Sequence, residues 1–121
     1  MLLFMSYRLL VCGSRNYPNK EKVSAYLTIA RVTHSDLLII TGMANGPDLW
    51  AYWFAQRHGI PCECYPAKWN EHGKRAGYIR NKEMIESKPN FVAAFWDGKS
   101  SGTKHTIDLA QKYHIPIEVI Q

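Results

Sequence analysis

The stretch FVAAFWDGKSSGT, residues 91–103, decides how this chain folds. Phe91 to Trp96 is an unbroken apolar run of strand length, and it stops abruptly in glycines, hydroxyls and charge. Successive side chains of a strand point to opposite faces, so a strand that is apolar at every position must be covered on both sides. A parallel sheet sandwiched between helices meets that condition, and the loop DGKSSGT then leads into the next helix. Working outward, RLLVC (8–12) and LLIIT (37–41) read as further buried strands, while PCECY (61–65) and PIEVI (116–120) read as shorter ones. Helical segments separate them: Asn19 to about Val32, Pro47 to His58, Arg75 to Ser87, and Thr103 to His114. Two stops are chemically explicit, because His58-Gly59-Ile60-Pro61 and His114-Ile115-Pro116 each put a cation at the helix end and a proline just beyond. The alternation predicts an α/β fold, a Rossmann-like three-layer sandwich of about five parallel strands with helices on both faces.

The 121 residues are 46% hydrophobic and 21% charged, so one compact domain over residues 1–121 is expected, with residues 1–7 as a flexible N-terminal extension. Roughly two-thirds of the unfolded surface can be buried at this size, so folding needs neither a disulfide nor a structural metal. The apolar start MLLFM is followed closely by Arg8, and no apolar run approaches the ~18 residues of a membrane span. A cytoplasmic protein without a membrane partner is expected. Cys12, Cys62 and Cys64 form neither an even disulfide set nor a zinc-type pair and read as reduced thiols; no metal and no cofactor is implied. The formal charge of +5, from 15 Lys and Arg against 10 Asp and Glu, favours an anionic partner, either a phosphorylated small molecule or nucleic acid.

In an open parallel sheet a ligand binds beyond the carboxyl ends of the strands, where helix amino termini converge with their partial positive charge. There the sequence places GSRNYP, GMANGPD, PAKWNEHGKRAG and DGKSSGT in turn. Gly13, Gly42, Gly46, Gly98 and Gly102 allow tight turns and let backbone N–H groups approach a phosphate. Ser14, Ser101 and Thr103 add hydroxyls, and Arg15 adds a planar, permanently charged fork. Met43 and Ala44 complete the second loop. Neither GxGxxG nor GxxxxGK[ST] occurs, which argues against a dinucleotide fingerprint and a P-loop. Asp48 falls in the first turn of the second helix, suited either to the helix dipole or to a ligand's ribose or amine. Arg80 lies in line with Ala76 and Met84 at spacings of four, which aims its guanidinium at the apolar side. Buried there, it needs an anionic partner: Asp97, a neighbouring glutamate or a bound phosphate.

Taken in order, four motifs make the chain recognisable: Gly13-Ser14-Arg15; the loop Gly42 to Asp48; Pro66-Ala67-x-Trp69 with Gly73-x-x-Ala76-Gly77 and Arg80-Asn81-x-x-Met84; and Ala94-Phe95-Trp96-Asp97-Gly98 with Gly102-Thr103. From about Arg8 to Ile120 it resembles the YspA-like group of the SLOG superfamily, whose relatives include LOG-type phosphoribohydrolases and DprA-type DNA-processing proteins. The resemblance implies a Rossmann-like fold that binds nucleotides or nucleotide-derived ligands at these loops. It departs from the pattern in two places. Met43 replaces the second glycine of the usual Gly-Gly-Ala. Thr103 is followed by Lys104, His105, Thr106, Ile107 and Asp108, so the catalytic glutamate of LOG-type hydrolases is absent.

The leading expectation is therefore binding of a nucleotide-derived phosphorylated small molecule by the loop residues above, with Arg80 and Asn81 contributing. One alternative is cleavage of an N-glycosidic bond, with Asp97 as the carboxylate and His105 as an acid near neutral pH; Asp97 is equally suited to cap the next turn, and His105 to sit exposed to solvent. Another is nucleic-acid binding, in which Trp69 and Tyr78 beside Arg75 stack bases, although the cations form no continuous stripe. DLWAYWFAQRHG carries an unbroken apolar run, Leu49 to Ala55, which points to a homodimer or higher homo-oligomer through this aromatic helix.

Overall fold

The computed structural model describes residues 6–121. Five strands form one fully parallel sheet: β1 (Tyr7–Gly13), β2 (Leu37–Thr41), β3 (Cys62–Cys64), β4 (Phe91–Phe95) and β5 (Ile117–Ile120), in the order β3-β2-β1-β4-β5. The three near-continuously apolar runs occupy the three central places, and the two more polar ones take the edges. Their side chains alternate between two cores. Leu9, Val11, Ile39, Ala93 and Phe95 pack beneath α1 (Lys20–Thr33) and α2 (Pro47–His58), and Leu10, Cys12, Ile40, Val92 and Ala94 beneath α4 (Ala76–Glu86) and α5 (Ser101–Lys112). The register sets Leu9 opposite Ile39 and Gly13 opposite Phe95.

Local chemistry fixes the helix ends. Asn19 caps α1 by accepting the Lys22 N–H at 3.0 Å. Pro47 opens α2, and Gly59 closes it in the left-handed region at φ 65°. Ser100 caps α5, so that helix begins two residues before the expected Thr103. Part of the third loop is also more ordered than expected: Trp69–His72 forms a helical turn, α3, and Gly73–Arg75 a 3-10 turn that runs directly into α4.

Of the expected N-terminal extension, residues 1–7, Tyr7 lies in a strand. The first five residues lie outside the described ones, but Tyr7 belongs to β1, donates its N–H to the Asp36 carbonyl at 3.0 Å and stacks its ring on His34 at 3.6 Å. Among the described residues no helix is long and apolar enough to cross a membrane.

Topology positions the site. From β1 the chain steps outward through β2 to β3, then returns across the sheet to β4 and steps outward the other way to β5. Connections leaving β1 and β4 therefore diverge, which leaves a crevice above the carboxyl ends of these neighbours.

Candidate functional site

A cleft of about 860 Å³ occupies that position. Its wall takes residues from all four strand-end loops. Of the residues singled out from sequence, Gly13, Arg15, Gly42, Met43, Ala44, Asp48, Arg80, Asn81, Asp97, Ser101, Gly102 and Thr103 line it, whereas Ser14, Gly46, Gly98 and His105 do not. Lys99, Ser100, Asn16 and Asn45 join the lining from the same strand-end loops without having been expected there, and so does Lys74, whose side chain carries no motif that marks it in the sequence. Four cations, Arg15, Lys74, Arg80 and Lys99, face two carboxylates, Asp48 and Asp97, so the cleft carries a net positive field.

Ser14 has a structural task. It is buried, its hydroxyl accepts the Asp97 N–H at 3.1 Å, and it meets the Thr103 hydroxyl at 3.5 Å. It straps the end of β1 to the end of β4 instead of opening into the cleft. Gly46 turns the second loop at φ 90°, where a Cβ would come 2.9 Å from the Ser14 carbonyl.

The loop DGKSSGT closes largely on itself. Asp97 Oδ1 accepts the N–H groups of Lys99 at 2.8 Å and Ser100 at 2.9 Å, which also holds its carboxyl below the usual range. Ser100 Oγ accepts the Thr103 N–H at 3.4 Å. Among the described residues the N–H groups of Ser101 and Gly102 find no acceptor, and both residues line the cleft at the amino terminus of α5.

Asp48 and Arg80 form the floor. Asp48 is 4% exposed, and its Oδ2 accepts the Ala44 N–H at 3.4 Å. Burial pushes its carboxyl up to about 6, against the opposing pull of Arg80 and of the N–H groups of Ala44, Gly13 and Gly42. Arg80 follows the predicted helical line between Ala76 and Met84, each 1% exposed. Its partners within the chain differ from the carboxylates expected. Nη1 donates to the Gly42 carbonyl and, at 3.4 Å, to that of Tyr65, while Nε donates to Asn81 Oδ1 at 2.9 Å. The nearby carboxylate is Asp48, not Asp97 or a glutamate, and Gly42 separates the two: a Cβ there would lie 2.5 Å from Arg80 Nη1 and 2.9 Å from Asp48 Oδ2. Among the described residues Arg80 Nη2 makes no hydrogen bond. Met43 adopts φ 64°, a conformation natural to the glycine it replaces, and its N–H is held by Thr41 Oγ1 at 3.2 Å.

His105 does not line the cleft but lies against two residues that do, Asn81 and Tyr78. Its Nδ1 meets Asn81 Nδ2 at 3.2 Å, which fixes Nδ1 as the acceptor, and burial holds the imidazole below its ordinary pKa. Asn81 Nδ2 also donates to the Gly102 carbonyl at 3.2 Å.

A parallel five-stranded sheet with helices on both faces and a cationic crevice at its switch point defines a Rossmann-like α/β protein. The profile of the YspA, cpYpsA-related SLOG family matches residues 7–72. The Gene 61 protein of Mycobacterium phage D29 is 34% identical over 118 residues, covering 91% of this chain and 93% of that protein. The chain belongs to the YspA, cpYpsA-related SLOG family, as the four motifs implied. Among solved structures, DNA processing protein A from Streptococcus pneumoniae superposes with a TM-score of 0.70 at 20% identity, over 96% of this chain and 50% of that one. The C-terminal domain of the PF1911 hydrogenase from Pyrococcus furiosus superposes with a TM-score of 0.53 at 13% identity, over 100% of this chain and 96% of that one. At such identities these two likenesses speak for the fold alone.

Proposed function

We propose that the protein binds a nucleotide or nucleotide-derived phosphorylated small molecule in the cleft at the carboxyl edge of the sheet. One observation carries this reading: four cationic side chains and the unsatisfied N–H groups of Ser101 and Gly102 converge on a single cleft. An anion there gains charge-assisted hydrogen bonds and the favourable end of the α5 dipole. Membership of a SLOG family supports the same ligand class. The test is calorimetric titration with a panel of nucleotides and nucleotide sugars. Arg15→Ala should weaken binding roughly tenfold or more, while Lys112→Ala, in the last turn of α5, should leave it unchanged. Absence of any heat or thermal shift across the panel refutes the reading.

Hydrolysis has less support. Asp97 is engaged by its own turn, and His105 by Asn81 and Tyr78. Nucleic-acid binding is suggested by the pneumococcal fold neighbour, a DNA processing protein, but the cleft concentrates its cations in one concavity instead of spreading them along a track. Self-association through the outer side of α2 forms part of the proposal. Trp53 is 58% exposed there beside half-buried Leu49, Trp50 and Tyr52, and α1, packed alongside, exposes Ile29 and Val32.

A further inference from the structure

Aromatic side chains exposed singly on a surface need no explanation, but aromatics gathered in one concavity with polar groups are the usual lining of a ligand pocket. Trp69 and Tyr78 are 52% and 47% exposed, and both line the cleft. Each is held from behind. The Tyr78 ring packs on His105 at 4.4 Å between centroids, and His105 is fixed through Asn81 to the Gly102 carbonyl at the start of α5. The Trp69 indole lies against Gly77: Cη2 is 3.5 Å from where a Cβ on that residue would stand. Arg80 Nη2, the guanidinium nitrogen without an internal partner among the described residues, is 3.8 Å from the same point. An open indole and the free edge of a cation thus border one backbone position that lacks a side chain.

That juxtaposition suits a flat heteroaromatic ring joined to an anionic group. The ring covers the indole, and the guanidinium hydrogen-bonds to its edge or to the linker. We propose that Trp69 and Tyr78 form a nucleobase seat, so that the ligand lies along the cleft with its base at this end and its phosphate toward Arg15 and the amino terminus of α5. The proposal rests on the cleft being a nucleotide site, and it adds an orientation and two residues that discriminate a nucleotide from a simple sugar phosphate. Because every base has a π-face, the seat tolerates base identity and rejects ligands that have none.

The experiment titrates wild type, Trp69→Leu and Trp69→Phe with the four ribonucleoside 5′-monophosphates and with ribose 5-phosphate, and follows folding by circular dichroism. Wild type should bind at least one nucleotide more tightly than ribose 5-phosphate. Trp69→Leu should weaken nucleotide binding roughly 5- to 100-fold and leave ribose 5-phosphate binding unchanged, and Trp69→Phe should recover most of the loss. Equal affinity of wild type for ribose 5-phosphate and every nucleotide, or an equal loss for both ligand types in Trp69→Leu, overturns the seat while leaving the phosphate site standing. Binding of none of these ligands by wild type overturns the seat, and the cleft as a nucleotide site then falls only if the wider panel of nucleotides and nucleotide sugars is silent too.

Discussion

Replacing Asp48 by asparagine separates the electrostatics of the cleft floor from everything else in the molecule. The carboxyl is 4% exposed and burial lifts it from 3.8 to about 6. At ~1.4 kcal/mol per pKa unit, ionised Asp48 destabilises the folded chain by about 3 kcal/mol. The sign follows from the direction of the shift. Below the unfolded value both states are protonated and no penalty exists. As pH rises from 3.8 to about 6 the unfolded chain releases the proton first, so stability falls; above that window the penalty is complete. Between about pH 4.5 and pH 7.5 the wild type should lose about 2 kcal/mol relative to Asp48→Asn, a relative change in melting temperature of roughly 5–10 °C. Denaturant unfolding of both proteins at several pH values measures this difference, and groups common to both cancel. His105, whose depressed pKa destabilises the fold as pH falls, is one of them. Cys12 lies near Asp48, but burial raises its thiol far above this window. A stability difference that stays constant with pH means that Arg80 and the surrounding N–H groups cancel the cost of burial, and one that moves the other way means that they outweigh it; either result refutes the prediction.

Two further predictions concern packing. Gly13→Ala would place a Cβ 2.7 Å from the Phe95 carbonyl and against the Pro47 ring, so a loss of about 2–3 kcal/mol is expected by denaturant unfolding. Gly102→Ala meets nothing within 4 Å, lies in a helix and should be neutral or slightly stabilising. Trp53→Ser on the exposed side of α2 should shift the chain from dimer to monomer in sedimentation equilibrium without lowering helix content; a monomeric wild type at micromolar concentration ends that proposal.

The order and type of the elements were legible because hydrophobic patterning is a local property of the chain. RLLVC, LLIIT and FVAAFW are apolar at nearly every position, and they became the three strands with neighbours on both sides. Pro47, Gly59 and Asn19 marked helix ends through backbone and capping chemistry that needs no tertiary partner. The helical line of Arg80 was readable for the same reason, since spacings of four share a face whatever lies opposite.

The tasks of the polar groups were another matter. Ser14 reads as a phosphate donor in isolation, but its hydroxyl receives the N–H of Asp97, 83 residues away. Asp97 reads equally as a catalytic carboxylate and as a turn cap, and in the folded chain its Oδ1 caps its own turn. Arg80 reads as a cation in need of an anion and bonds chiefly to carbonyl oxygens, because Gly42 keeps Asp48 at one remove. Trp69 in α3 and Tyr78 in α4 share a cleft only in the tertiary structure. The sequence by itself determined the sheet, its helices and the loops at its carboxyl edge, since burial of apolar area depends on composition and period. Only the tertiary structure decided which donors remain free, because a hydrogen bond is satisfied or left open by atoms that chain order keeps far apart.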